Sequence, residues 1–502
     1  MGVAHSRRQF VSAALVGLGR KGGRPVTGSF VFESFAYAHE LRHRACLRVP
    51  TRTERVPVVV VGGGVAGLSA AWRMARRGFR DFVVLELERD AGGNARWGEN
   101  EISAYPWAAH YLPVPGANAP LVRELCEELG LLRGGVWDER HLCHAPRERL
   151  FLHGRWQEGL EPEVAATARD RAEYRQFQER MREFRATGEY TVPMERGARP
   201  SPLDRLSMGA WMREQGFHSP YLHWYADYCC RDDYGASAEA TSAWAGIHYF
   251  ASREATEHGP LTWPEGNGWI VRRLLDRLAP YVRTNAMVYS IRRDGRRWRV
   301  TTEAAEYLAG HVIFAAPTFL ARYIVEGAPE AKGFEYSPWV VANLTLDRPP
   351  RERHSEPAWD NVIYGSPSLG YVVATHQNLD SRPERSIWTY YWALARAAPA
   401  VERARLLAAA WQDWKEAILN DLSRAHPDIR ECVTRIDVLR LGHAMIRPSV
   451  GFLFSGERKR WAALSGTLLY ANSDLSGLSL FEEAQYRGVR AADAVLGHLG
   501  RM

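Results

Sequence analysis

The chain has little of what marks several protein classes. Its 502 residues hold six cysteines: Cys46, Cys126, Cys143, Cys229, Cys230 and Cys432. None stands in a CxxC pair or at Cys/His zinc spacing, which excludes a small disulfide scaffold and leaves no expected metal site. No run of five or more Lys/Arg with interleaved aromatics occurs, so nucleic acid is not an expected partner. No segment after the leader reaches the roughly 18 consecutive apolar residues of a spanning helix, so no integral membrane span is expected in the mature chain. What is present is ordinary folded composition, 46% hydrophobic and 25% charged, with 65 Lys+Arg against 58 Asp+Glu and a net charge of +7. That mild excess suits anionic cofactors or headgroups, and the length predicts roughly two to four domains.

At the amino terminus Ser6-Arg7-Arg8-Gln9-Phe10 precedes the apolar stretch Val11 to Gly19. An arginine pair before a short apolar run is the twin-arginine export pattern, an address for proteins carried already folded across a bacterial inner membrane. The stretch is too short for a membrane anchor. The expected partner is therefore the twin-arginine export machinery and the expected location the periplasm, either free or peripherally attached to a membrane. A small-residue site for cleavage, Ala36-Tyr37-Ala38, lies further on, and residues 1–50 read as leader.

The run Val56-Pro57-Val58-Val59-Val60-Val61 lacks alternation, as a parallel strand buried on both faces would. Gly62-Gly63-Gly64-Val65-Ala66-Gly67 follows, with Gly62, Gly64 and Gly67 filling G-x-G-x-x-G. These glycines give a tight turn, a close approach to a pyrophosphate and close helix packing. A helix reads from Leu68 to Arg77, its amino end facing the phosphates. Phe82-Val83-Val84-Leu85-Glu86 supplies a second strand ending in an acid for the ribose hydroxyls. Strand, glycines, helix, strand and acid in order predict a dinucleotide site.

Further pieces decide which dinucleotide. Ala91-Gly92-Gly93-Asn94-Ala95, the hairpin from Ala286 through Asp294-Gly295 to Val300 with the strand His311 to Pro317, the strand Leu468 to Asp474, and the helix Phe481 to Gly488 occur in order. Together they resemble the flavin-containing amine oxidase and phytoene desaturase superfamily. The resemblance implies FAD, bound without a covalent thioether because no cysteine lies beside the final motif. It implies that the backbone at Val288 meets the adenine, that Asp474 binds the diphosphate and ribitol region, and that Phe481 and Ala484 cover the flavin. Gly92, Gly93, Asn94, Ala109 and His110 join Gly62, Gly64, Val65, Ala66, Gly67 and Glu86 in the expected cofactor set.

It also implies an α/β fold, a Rossmann-like FAD domain with an inserted α+β substrate domain. The expected division is FAD domain at 51–150, 259–335 and 433–502, and substrate domain at 151–258, helical, and 336–432. Ala397 to Ala425 reads as one amphipathic helix.

Flavin chemistry needs position, polarity and access more than a catalytic side chain. Two positions depart from the best-known amine oxidases: Asn343 stands where the resemblance places a lysine holding a water, and Leu480 where it places a flanking aromatic. Asn343 can still orient a water. His110 is a candidate to set flavin polarity or accept a proton, and His443 a candidate substrate-facing residue. Trp263 to Gly268 reads as a structural turn, and the vicinal Cys229-Cys230 as packing or a redox pair. The leading expectation is an exported FAD-dependent oxidoreductase removing a hydride from a small-molecule amine, a polyamine included, with electrons passing to oxygen or a quinone-linked acceptor. A desaturase of a hydrophobic polyene or lipid and a non-catalytic FAD-stabilised protein are the alternatives. The oligomeric state is not readable.

Overall fold

The computed structural model describes residues 25–32, 35–42, 47–253, 259–351, 356–378 and 384–501. The arginine pair at 7–8 and its apolar run lie outside these residues. The valine run lies in the strand Thr53–Val61, parallel to Phe82–Leu85 on one side and Glu306–Phe314 on the other. Its residues divide between two cores. Val58 and Val60 join one with Leu68, Ile270 and Val489, while Val59 and Val61 join another with Val288, Phe314 and Leu475. Burial on both faces is why the sequence does not alternate. The sheet has seven strands, and its parallel part is completed by Val282–Arg283 and Leu468–Tyr470. The hairpin Ser290–Asp294 and Arg297–Thr301 adds antiparallel strands, turning at Gly295 with φ +59°.

The C-terminal helix Phe481–His498 lies across the glycine-turn helix Val65–Arg76. A Cβ at Gly488 would stand 2.1 Å from the Ala66 carbonyl oxygen, so the close crossing requires glycine there.

A second, eight-stranded sheet is mostly antiparallel and centres on Tyr336–Leu346, flanked by Ser386–Ala393 and the long strand Val433–Ile446. Helices including Ala168–Ala186, Pro220–Tyr234 and Ala243–Ala251 accompany it. The fold is thus a mostly parallel Rossmann-like sheet domain with an inserted mixed α/β unit.

Three expectations need correction. Val433–Ile446 belongs to the second sheet, so the third FAD segment starts after it; Glu148–Leu152 likewise belongs there rather than before the 150/151 boundary. The helix expected over 397–425 is two helices, Pro399–Ala408 and Trp411–Leu422, broken where Ala409 and Ala410 become extended. Part of the expected leader is built into the fold. Phe30–Val31 pairs in parallel with Val438 and Leu439, Leu41 and Leu47 are buried in the second FAD-domain core, and Ala38, in the helix Phe35–His39, lines the groove described next.

Candidate active site

The glycine turn opens onto a groove of about 390 Å³. Gly62 has φ +103°, and a Cβ on Gly67 would stand 1.9 Å from the Gly62 carbonyl oxygen. Gly64 differs: the nearest atom to a Cβ there is the Cα of Gly93 at 3.8 Å, leaving open backbone beside the helix amino end at Val65 and Ala66. That is a cradle for a diphosphate. Glu86 sits at the groove with its carboxylate held by the amides of Gly63 (2.6 Å) and Glu88 (2.8 Å), and burial pushes its pKa up. Val288 lines the same groove on backbone that precedes the strand starting at Ser290. Asp474 accepts from the Thr318 amide (2.8 Å) and the Tyr336 hydroxyl (2.6 Å), and burial again raises its pKa. Gly92 and Gly93, at φ +132° and +57°, turn the chain so that Asn94 reaches the Ala444 carbonyl (2.6 Å) and accepts the Ala109 amide on its own carbonyl (2.8 Å). A glycine cradle, a ribose-facing acid and a far acid along one groove fit FAD. When bound, FAD supplies the hydride acceptor.

An inner cavity of about 140 Å³ adjoins the groove. Asn94, Ala109, Asn267, Ala444, Leu480 and Phe481 line both, so this shared wall is where a flavin ring would be held. Ala484 remains on the groove side, one turn along the C-terminal helix. Beyond the inner cavity lies a chamber of about 550 Å³, which shares His110, Asp232, Asp233, Arg253, Leu480 and Glu482 with it.

The chamber is acidic. Glu148, Glu158, Asp232, Asp233, Asp360 and Glu482 line it, against Arg147 and Arg253. Arg253 is paired, donating to both Asp233 carboxylate oxygens at 2.8 and 2.6 Å and lying 4.1 Å from the Tyr249 ring centre. Burial pushes Asp232 and Glu482 up to about 7, and with Asp232 and Glu148 nearby it holds Asp360 well above the carboxylate range. A cation entering the chamber favours the charged form of each of these groups.

His110 lies at the junction of the inner cavity and the chamber, its ring 4.6 Å from that of Tyr391. Burial lowers its pKa to about 4, so it is a neutral imidazole and a weak base: it can set polarity, while the expected proton-accepting role is not supported. His443 stands on the groove wall, stacked on Phe319 at 4.3 Å, and not among the residues lining the inner cavity or chamber. Its place is the cofactor side rather than the substrate side. Asn343 is also displaced from its expected role. Its amide nitrogen donates to the Pro106 carbonyl (3.0 Å) and its oxygen accepts from Thr389 (2.7 Å), while Val341 and Trp339, one and two pleats back, line the inner cavity. Leu480 does line all three spaces. Cys229 and Cys230 are free, buried on the helix Pro220–Tyr234, and burial raises both thiol pKa values, so they read as packing.

Several lining residues escaped the sequence reading. Asn267, from the turn taken as structural, is on the shared wall with its Oδ1 unpartnered among the described residues. Glu482 was legible only as the neighbour of Phe481, and Asp232, Asp233, Arg253 and Asp360 carry no local signal.

The model of the family described as flavin containing amine oxidoreductase matches residues 65–496. A putrescine oxidase bound to putrescine aligns with TM-score 0.68 and 16% identity, over 89% of this chain and 100% of that one. Cyclohexylamine oxidase from Brevibacterium oxydans aligns with TM-score 0.65 and 14% identity, over 89% and 99%. A fatty acid isomerase from P. acnes aligns with TM-score 0.61 and 13% identity, over 87% and 98%. At these identities the likenesses speak for the fold. A Baeyer-Villiger monooxygenase from Streptomyces coelicolor is 45% identical over 60 residues, and that from Penicillium patulum 42% over 52, so the chain spans only about a tenth of the curated relatives it matches, 11% and 8% of their lengths. With the ribose acid and the flavin wall inside the matched residues 65–496 and the glycine turn leading into them, the chain belongs to the flavin-containing amine oxidoreductase family and is an FAD-dependent oxidoreductase.

Proposed function

We propose that the chain oxidises an amine carrying a second cationic nitrogen, a diamine or polyamine. One observation carries the reading: six carboxyl groups against two guanidiniums line the chamber next to the flavin wall, with Asp233 and Arg253 already paired. Asp232, Asp360 and Glu482 remain to face a distal ammonium, and Tyr228, Tyr249 and Trp359 supply aromatic faces to its methylenes and charge. His110, neutral and stacked on Tyr391, adds no charge against the reacting nitrogen, which must lose its proton before hydride leaves the adjacent carbon. Asn94, Ala109 and Phe481 fix where the acceptor lies relative to that carbon. The fold shared with putrescine oxidase supports this reading, and the acidic chamber weighs against an anionic lipid as substrate. Electrons pass on to oxygen or a quinone-linked acceptor, and the twin-arginine pattern leads us to propose that this happens in the periplasm.

Anaerobic mixing of the purified flavoprotein with an amine panel tests it. Diamines and triamines bleach the flavin at concentrations well below those needed for monoamines of equal chain length. A flavin spectrum left unchanged by every amine, or equal response to mono- and diamines, overturns the proposal.

A further inference from the structure

A cleft of about 460 Å³ lies outside the groove and the chamber, between the C-terminal helix, the short helix Gly456–Trp461 and the turn Met194–Arg196. Four cations line it, Arg458, Lys459, Arg487 and Arg490, against one acid, Glu195. Arg458 and Arg487 are only 7% and 5% exposed, yet most of their partners are neutral. Arg458 donates to the carbonyls of Leu453 and Leu475, and Arg487 to the Ser476 hydroxyl (3.0 Å) and the Leu475 carbonyl (3.4 Å). These bonds aim the guanidiniums without cancelling their charge. Arg487 reaches one carboxylate, Glu195 at 3.3 Å, whose own side chain is 46% exposed. Among the described residues no carboxylate lies within ion-pair distance of Arg458, Lys459 or Arg490. Arg73, Arg76, Arg283 and Arg299, by contrast, are each paired with at least one acid.

The buried acids Glu483 and Asp204 lie behind this wall, and burial raises the pKa of each. Burial, reinforced by the neighbouring Arg487, lowers the Arg458 pKa to about 10. The rest of the wall is apolar, with Met194, Ala198, Phe454 and Leu464.

We propose that this cleft is a second binding site, for a small organic anion with a phosphate or carboxylate head and a short apolar body. The head meets Lys459, Arg487 and Arg490, and the body lies on Phe454 and Leu464. The volume suits a small ligand, within the roughly 300–1,000 Å³ of ligand pockets. The site is independent of the amine reading, since it shares no lining residue with the groove or the chamber.

Calorimetric titration of the FAD-loaded protein with octyl phosphate at fixed ionic strength tests it. The expected result is saturable one-to-one binding, weakened at least tenfold by Lys459→Ala/Arg490→Ala and absent for octanol, with flavin content unchanged in the variant. Leu464→Asp, which leaves the cations in place, also weakens octyl phosphate while sparing flavin content. No saturable heat, unaltered affinity in the double variant, or binding to phosphatidylglycerol vesicles without binding of octyl phosphate overturns the proposal.

Discussion

If the chamber reads a distal ammonium through its raised carboxyls, diamine affinity rises with pH in a calculable way. Asp232 and Glu482 titrate at about 7 because burial disfavours their charged forms. The binding form is the ionised one, so it appears as pH rises through about 7. A carboxyl with pKa 7 is about 9% ionised at pH 6 and about 91% at pH 8, so each such group contributes about tenfold in affinity over that range. Both together set an upper bound of about a hundredfold. Alkyl ammonium groups, with pKa near 10, stay charged throughout. The complication is the reacting nitrogen, whose own proton must leave; a monoamine of equal chain length shares that chemistry and lacks the distal charge. The measurement is therefore the ratio of dissociation constants, monoamine over diamine, from the concentration dependence of anaerobic flavin bleaching in stopped flow. The ratio grows at least about tenfold between pH 6 and pH 8. A ratio constant across that range refutes the assignment of these carboxyls to the distal cation.

Two further outcomes follow from the same geometry. Asp232 has a folded pKa above its unfolded one, so its stabilising contribution is present below the unfolded value near 4 and is lost as pH rises towards 7. Asp232→Asn therefore stabilises the amine-free protein progressively, by about 2–3 kcal/mol more at pH 7 than at pH 5 (about 1.4 kcal/mol per unit), read by chemical denaturation at the two pH values; a gain that does not change with pH counts against the burial of this group. Gly67→Ala sets a methyl 1.9 Å from the Gly62 carbonyl oxygen, so turn and helix must part by roughly 1.5 Å to reach ordinary contact. The variant purifies with less than a tenth of the wild-type flavin content by absorbance, and full retention would show that the turn is not held by this contact.

The nucleotide-binding half of the molecule was legible because its constraints are local. A turn that needs Gly62 and Gly67, a strand buried on both faces, and Glu86 at a strand end leave their marks within a few dozen residues. The chamber left none, since Glu148, Asp232, Asp360 and Glu482 come from four distant stretches and meet only in the fold. Asn343 shows a subtler limit. Matching a motif to a strand fixes the face on which a residue lies, but depth along the strand decides whether it reaches the cavity, and here Val341 does while Asn343 binds Pro106 and Thr389. The break between the helices ending at Ala408 and starting at Trp411 was invisible because alanines, rather than glycine or proline, occupy it.

The described residues between Phe30 and Leu41 tie one wall of the cofactor groove to the second sheet. Phe30–Val31 is held on the edge of Val433–Ile446, Arg440 lies 3.7 Å from the Phe30 ring centre, and Ala38 and Leu41 form one wall of the groove. Release of this segment by local unfolding would open that wall of the groove. A cut at Ala36-Tyr37-Ala38 would divide that wall, detach the paired strand and leave a sheet edge open to other chains.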